Sequence, residues 1–299
     1  MAVAASAVTG VVSPLHGVML ALAAFALFTG MDTSIKLLGG RYHVLQVIFV
    51  NSAFGLATVL MIAGLRGGYA RLRTTQPRLH ALRWLVSLAG GAAFFWCYPR
   101  LPLADIYAVI FTAPLLITAL SVPLLGEQVG WRRWSAVAVG FVGVLIILDP
   151  GQGAVTLPAA VALLGATFHA LNMILVRKLG ARAEPVEILG LVGNALSLVA
   201  LAPVMLLVWR TPSLHDLSLS AFAGMIAGSG FLLLAQAFRS APAALIAPFQ
   251  YSQMLYGILA GLLVFGDVPQ PRMLVGAVII VLSGLYILRR ERRTAGQHT

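Results

Sequence analysis

The chain of 299 residues is 60% hydrophobic and only 10% charged, with a mean hydropathy of +0.95 and a formal net charge of +11. This composition excludes an ordinary soluble domain and predicts an integral membrane protein. The single cysteine, Cys97, excludes an intramolecular disulfide or a Cys-based metal site, and we expect neither a cofactor nor a metal.

Ten apolar runs, most of them close to the roughly 20 residues needed to cross a hydrocarbon core, predict ten transmembrane helices. In chain order they are residues 15–38, 43–64, 80–98, 104–125, 132–149, 156–178, 185–208, 219–238, 243–264 and 272–289. The short connections leave no room for a soluble domain. The first residues lack the basic start of a secretory signal peptide, so we expect the first helix to be retained.

The basic residues are distributed unevenly between the two sides that this topology creates. With the N-terminus inside, 15 of the 20 Lys and Arg residues, Arg83 among them, are assigned to the inner loops and tail. The five on the outer side are Lys36, Arg41, Arg100, Arg210 and Arg272. The positive-inside rule then predicts a multi-pass protein with both termini in the cytoplasm. The net charge indicates anionic lipid headgroups, and no nucleic acid, as its partner.

A shift of about 140 residues aligns the second half of the chain with the first. The matched pairs are Asp32 with Asn172, Gly126 with Gly266, Glu127 with Asp267 and, at a shift of 143, Asn51 with Asn194. Each half, residues 1–149 and 150–299, holds five helices, and this odd number inverts the second half relative to the first. Inverted repeats of this kind are typical of secondary transporters, whose two halves rock about a substrate near the midplane.

Short motifs add a family resemblance to this plan. "PLL" at 114–116, "LGE" at 125–127 and "GFVGVLII" at 140–147 are echoed by "FGD" at 265–267 and "SGLYIL" at 283–288. The chain resembles the EamA-type families of the drug/metabolite transporter superfamily, and within them the YddG-type amino-acid exporters of bacteria. The resemblance implies an all-α membrane fold with a central cavity shared by the two inverted repeats, in a bacterial-type plasma (inner) membrane.

Polar side chains within the apolar runs are the candidate site residues, because each needs a partner or a wet cavity. Asp32 and Lys36 share one face of the first helix at i and i+4, so we expect Lys36 to be the counter-ion of Asp32 or a gating residue. A purely structural pair near the interface is the alternative. The match with Asn172 favours a substrate contact for both Asp32 and Asn172.

The sixth and ninth helices contribute further candidates for substrate binding. His169 lies one turn from Asn172, and a satisfied core histidine is the alternative interpretation. Gln250 and Gln253 share one helix face and Tyr256 lies on the neighbouring one. Amides suit a zwitterionic substrate because they both donate and accept hydrogen bonds, although contacts between helices would also explain them.

Aromatic residues at the end of the third helix form another candidate group. Phe94 and Tyr98, four residues apart, would form with Tyr107 an aromatic wall for an apolar part of the substrate. An aromatic belt at the level of the lipid headgroups is the alternative explanation.

These features favour a monomeric carrier that exports small amphipathic metabolites, above all aromatic and neutral amino acids, by alternating access. A carrier for another metabolite or drug, such as a nucleoside, a sugar or a cationic compound, is the main alternative. An intramembrane enzyme built on Ser229 is remote because the G-x-S-x-G spacing is absent. A channel is also remote, since one chain offers no symmetric ring of charges or carbonyls.

Overall fold

The computed structural model describes residues 14–65, 74–126, 129–148, 156–180, 186–241 and 243–295. Within these ranges the chain is helical and contains no strand, which confirms the predicted all-α fold. The helices are α1 (Pro14–Leu37), α2 (Val44–Leu65), α3 (Pro77–Cys97), α4 (Leu103–Ile110), α5 (Ala113–Leu125), α6 (Trp131–Leu148), α7 (Leu157–Gly180), α8 (Val186–Val208), α9 (Leu214–Ser240), α10 (Ala243–Ile246), α11 (Ser252–Ala260) and α12 (Pro271–Ala295).

The twelve helices of the described part form the ten predicted spans, because two of these spans are interrupted. The span 104–125 breaks at Phe111 and Thr112, directly before Pro114. The span 243–264 contains a 3-10 turn, Ala247–Tyr251, and ends in a π turn, Gly261–Phe265. Proline lacks a backbone N–H and clashes with the preceding turn, so the first break lies beside Pro114, and the 3-10 turn contains Pro248.

The two breaks are in contact. The rings of Phe111 and Tyr251 meet edge to face with their centroids 5.0 Å apart. Since one ring belongs to each half, this contact joins the two interrupted spans at the interface between the halves.

Six spans in the described part are long and apolar enough to cross a membrane, judged by length and composition. The other four have visible reasons for falling short. α3 carries Arg78, His80 and Arg83 within its first seven residues, and α6 is only 18 residues long and has two arginines in its first turn. The span 243–264 is interrupted by the 3-10 turn, and the apolar run of α12 ends at Leu288, before Arg289 and Arg290.

Helix packing repeats between the two halves. α1 packs along α9, and their counterparts α7 and α3 pack along each other in the same way. α2 packs against its own counterpart α8, and α6 against its counterpart α12. Gly126 and Gly266, matched by the sequence shift, both follow a helical segment with left-handed φ angles of 70° and 71°. The same turn is thus built twice; Glu127 lies outside the described residues, and the division of the chain at residue 149 stays a prediction.

The α6–α12 contact depends on two glycines. A Cβ added to Gly143 would lie 2.8 Å from the carbonyl oxygen of Gly276, and one added to Gly276 would lie 2.5 Å from that of Gly143. The two backbones therefore touch directly, in the close packing that small residues permit between membrane helices.

Because the spans alternate in direction, the start and the end of every span lie at one of the two ends of the bundle. The end where α1 finishes and α2 begins also holds the end of α8 and the start of α9. We call it the Lys36 end, after the residue in the last turn of α1.

Candidate functional site

A cavity of about 360 Å³ lies among α2, α3, α7, α8 and α9, so both halves of the chain line it. Its polar lining consists of Asn51, Ser52, Arg83, Ser87, Asn172, Asn194 and Ser197. Its larger apolar side chains are Ile48, Val59, Trp84, Leu88, Phe95, Met173, Leu189 and Phe231. An apolar pocket with a few converging polar groups is the usual form of a small-molecule site.

Arg83 places a positive charge in the wall of this cavity. It is the seventh residue of α3, about 9 Å along the helix axis from its start, and is 7% exposed. Nη2 donates to the carbonyl oxygen of Leu189 at 2.6 Å, and Nε is buried without a partner. The ion pairs among the described side chains involve Asp267 and Asp216, and none involves Arg83. The sequence-based assignment of Arg83 to an inner loop is therefore wrong.

Two asparagines of the lining also have unsatisfied atoms. Asn51 Nδ2 and Asn172 Oδ1 are buried and find no hydrogen-bond partner in the described part of the chain. Trp84, by contrast, is fixed, because its Nε1 donates to Ser197 Oγ at 2.9 Å. An unsatisfied buried polar atom costs about 1–3 kcal/mol, which a bound molecule or water in the cavity would relieve.

Asp32 does not line the cavity and is the centre of a separate polar cluster. The residue is 2% exposed, and its two carboxylate oxygens accept hydrogen bonds from the hydroxyls of Tyr98 and Tyr107, both at 2.7 Å. The side chain of Gln253 also reaches the Tyr107 hydroxyl. The structure thus brings together four of the predicted site residues, Asp32, Tyr98, Tyr107 and Gln253. They contact one another, and none of them is among the described lining residues of the cavity.

The predicted ion pair between Asp32 and Lys36 is wrong. Lys36 Nζ lies 2.5 Å from Asp267 Oδ2 and donates to the carbonyl oxygen of Leu101 at 3.1 Å. The ammonium also lies over the ring of Phe265, 4.5 Å from its centroid. Two tyrosines occupy the oxygens of Asp32, while an acid from the other half of the chain reaches Lys36.

The remaining predicted residues do not share one site. Asn172 lines the cavity, whereas His169 and Gln250 are not among its described lining residues. Phe94 is buried against Gly165 of α7, 7% exposed, and belongs to the core. Tyr256 lines a different groove, of about 470 Å³, between α1, α9 and α11. The roles of these residues as substrate contacts stay predictions.

A vestibule of about 520 Å³ opens at the Lys36 end. Its polar and aromatic lining consists of Arg41, Tyr42, His43, Phe95, Trp96, Arg100 and Arg210. Phe95 lines both the vestibule and the cavity, so the two spaces meet at this residue. The ring also packs on Tyr98, with centroids 5.9 Å apart, which links it to the Asp32 cluster.

Several contacts at the Lys36 end tie the first half to the second. Besides the Lys36–Asp267 pair, Asp216 accepts from Tyr42 at 2.7 Å and pairs with Arg41 at 3.1 Å. The hydrogen bond to the Asp216 carboxylate raises the pKa of Tyr42 above its ordinary value.

The Gln46 amide adds a further tie, to the backbone of Arg210. Its Nε2 donates to the Arg210 carbonyl oxygen at 2.5 Å, and its Oε1 accepts from the Arg210 N–H at 2.9 Å. The two halves are therefore held together at this end by paired and partly buried polar groups.

Sequence reasoning missed Arg83, Ser87 and Ser197 as lining residues. A usable signal existed for Arg83, because it stands inside an apolar run as an intramembrane charge. Asn51 and Asn194 were matched only as a repeat pair, although both line the cavity. A signal for the serines is lacking, since serine is common wherever membrane helices pack.

The chain matches the model of the EamA-like transporter family twice, over residues 15–149 and 156–289. It is 28% identical over 263 residues to an S-adenosylmethionine uptake transporter of Rickettsia prowazekii (strain Madrid E), covering 88% of this chain and 89% of the relative. It is 30% identical over 298 residues to a riboflavin transporter of Vibrio cholerae serotype O1, covering 94% and 98%.

Two further comparisons agree with this. The chain is 27% identical over 282 residues to the pseudopaline exporter CntI of Pseudomonas aeruginosa (strain UCBPP-PA14), covering 92% of this chain and 97% of the relative. The crystal structure of another protein superposes on this chain with a TM-score of 0.61 and 20% sequence identity. The alignment covers 94% of this chain and 99% of the other. At that identity the alignment shows the fold alone.

Proposed function

Because the chain belongs to the EamA-like transporter family, we propose that it is a secondary carrier that moves a small metabolite through the 360 Å³ cavity by alternating access. The observation that carries the proposal is the cavity itself, which both halves line, which has several polar groups in its wall and which shares Phe95 with the vestibule. A carrier needs such a site between two halves that move relative to each other.

The cargo that the relatives suggest is not an amino acid. Those described above are named for S-adenosylmethionine, riboflavin and pseudopaline. Amino-acid export therefore lacks their support, and the alternative, a carrier for another metabolite such as a nucleoside-like or cationic compound, fits better. Both an uptake transporter and an exporter occur among these relatives, so their names favour neither direction.

The contacts at the Lys36 end are suited to act as a gate. Lys36–Asp267 and Tyr42–Asp216 each join one half to the other, and both must separate if the halves rock apart there. Partly buried ion pairs of this kind hold one arrangement and can be exchanged for another. In the proposed topology, this end faces outward from a bacterial inner membrane and the chain works as a monomer.

The test is reconstitution of the full chain into liposomes. Labelled S-adenosylmethionine, riboflavin and a set of amino acids are supplied, with and without unlabelled compound on the opposite side. A carrier shows uptake that is stimulated by unlabelled cargo on the opposite side, which a pore does not show. Absence of stimulated exchange for every compound would refute the proposed cargo class, and exchange of amino acids alone would restore the first expectation.

A locked variant supplies the mechanistic control. Tyr42→Cys with Asp216→Cys is joined by a bifunctional thiol reagent, and Cys97 needs no replacement because it is 0% exposed. Joining the two positions prevents separation of the halves at the Lys36 end. We expect exchange to stop after treatment, whereas each single-cysteine variant treated in the same way keeps its own untreated rate.

A further inference from the structure

The guanidinium of Arg83 has far fewer partners than its chemistry demands. It carries five N–H donors, and the described part of the chain supplies a single acceptor, the carbonyl oxygen of Leu189. Nε is buried and unsatisfied. A charge at this depth in a membrane is costly unless it is paired or faces water, and such residues mark transport pathways.

We propose that Arg83 binds an anionic group, a carboxylate or a phosphate, of the molecule that occupies the cavity. This inference rests on the proposed function, because it names the chemical class of the cargo at the same site. Arg83 is the one charged residue among the described residues that line the cavity, so the lining has a net positive charge. A guanidinium binds carboxylate or phosphate through two parallel hydrogen bonds, which are stronger than those between neutral groups.

The asparagines around Arg83 complete a polar site. Asn51 offers the unpaired donor Nδ2 and Asn172 the unpaired acceptor Oδ1. Both atoms are covered in this conformation, so each side chain must rotate to meet a ligand. A molecule that bears an anion next to a hydrogen-bond donor, such as an ammonium or a hydroxyl, would satisfy all three residues.

The rest of the lining indicates the body of the ligand. Trp84, Phe95, Met173 and Phe231 give the cavity an apolar and partly aromatic surface. Trp84 is held in place by its hydrogen bond to Ser197. A flat or apolar body attached to the anion would pack on these side chains, since aromatic contacts favour stacked or edge-on rings.

The vestibule also favours an anionic ligand. Arg41, Arg100 and Arg210 are among its lining residues, and the lining described contains no Asp or Glu. Arg41 is neutralised in part by Asp216, whereas the Arg100 guanidinium stacks over the Trp96 ring at 3.9 Å. A positive lining raises the local concentration of anions and so assists their entry.

The test compares matched ligands that differ in one anion. Full-length protein in phosphatidylcholine nanodiscs, which lack anionic headgroups, is titrated with riboflavin and flavin mononucleotide, and with S-adenosylmethionine and its methyl ester. We expect the anionic member of at least one pair to bind about tenfold more tightly. Arg83→Gln should remove this preference, Arg83→Lys should keep part of it, and the exposed control Arg132→Gln should leave it unchanged.

The outcomes separate the two proposals. Equal binding within both pairs, no binding by either anionic member, or a preference that survives in Arg83→Gln would each overturn the inference. If Arg83→Gln fails to fold, the wild-type preference and its loss under competing sulfate decide the matter. Transport of uncharged riboflavin without an anionic preference would support the carrier function and contradict anion binding by Arg83. Anion-selective binding without exchange would support anion binding by Arg83 and contradict the carrier function.

Discussion

Lys36 in the last turn of α1 forms an ion pair with Asp267, which precedes α12, with Nζ 2.5 Å from Oδ2. The two side chains are 11% and 29% exposed, so water screens the pair less than it would screen a pair at the surface. Since α1 and α12 belong to different halves, this contact joins the first half of the chain to the second. Its loss should loosen the Lys36 end.

Breaking this pair should expose the cavity from the Lys36 end. In intact cells, Ser87→Cys in the cavity lining is labelled with an impermeant maleimide, alone or with Lys36→Met or Asp267→Asn. We expect each second change to speed labelling several-fold, because one tie of the closed end is lost. The exchanged pair Lys36→Asp with Asp267→Lys should restore part of the slow rate; labelling that is equally fast in all variants would contradict a gate.

Asp32 should act as a structural anchor for two tyrosines. Asp32→Ala leaves the hydroxyls of Tyr98 and Tyr107 buried without an acceptor, at a cost of about 1–3 kcal/mol each. We expect a marked fall in melting temperature in detergent, whereas Tyr98→Phe, which removes one donor, should cause a smaller fall. A melting temperature unchanged in Asp32→Ala would show that the cluster contributes little to stability.

Asn172 and Gln253 should give different phenotypes, although the sequence proposed both as substrate contacts. Asn172 lines the cavity, so Asn172→Ala should lower exchange several-fold at an unchanged melting temperature. Gln253 lies beside the Tyr107 hydroxyl, so Gln253→Ala should lower the melting temperature first. Measuring both quantities for both variants separates the two roles, and identical phenotypes would contradict this division.

Phe95 should keep the vestibule and the cavity apart. Phe95→Ala removes the ring that lines both spaces and is expected to join them. Preloaded liposomes should then leak cargo without any compound on the other side, while the wild-type protein exchanges one molecule for another. Phe95→Leu retains most of the side-chain volume and should leak less cargo. Liposomes with Phe95→Ala that do not leak would show that another residue closes the path.

The Tyr42–Asp216 hydrogen bond should make stability depend on pH at the alkaline side. The carboxylate raises the pKa of Tyr42, because it accepts a bond from the protonated phenol alone. The stabilisation is therefore complete below the ordinary tyrosine pKa of about 10 and is lost as the pH rises through the higher pKa of the folded state. Tyr42→Phe should melt earlier than the wild type at neutral pH, and the difference should vanish at high pH.

The sequence alone determined the number of spans, the two five-helix repeats and the family. Hydropathy and the 140-residue match can both be read along the chain. The match pairs Gly126 with Gly266, and both glycines adopt the same left-handed turn in the structure. Neither hydropathy nor the match needs knowledge of which helices touch.

Only the tertiary structure decided which polar groups meet. Lys36 and Asp267 are 231 positions apart in the chain. The i, i+4 spacing within the first helix had instead predicted Asp32 as the partner of Lys36. Arg83 counted as a loop residue until the start of α3 placed it beside Leu189 and the cavity. Side-chain partners between helices depend on the rotation and crossing of each helix, which packing sets and which a pattern along one helix does not contain.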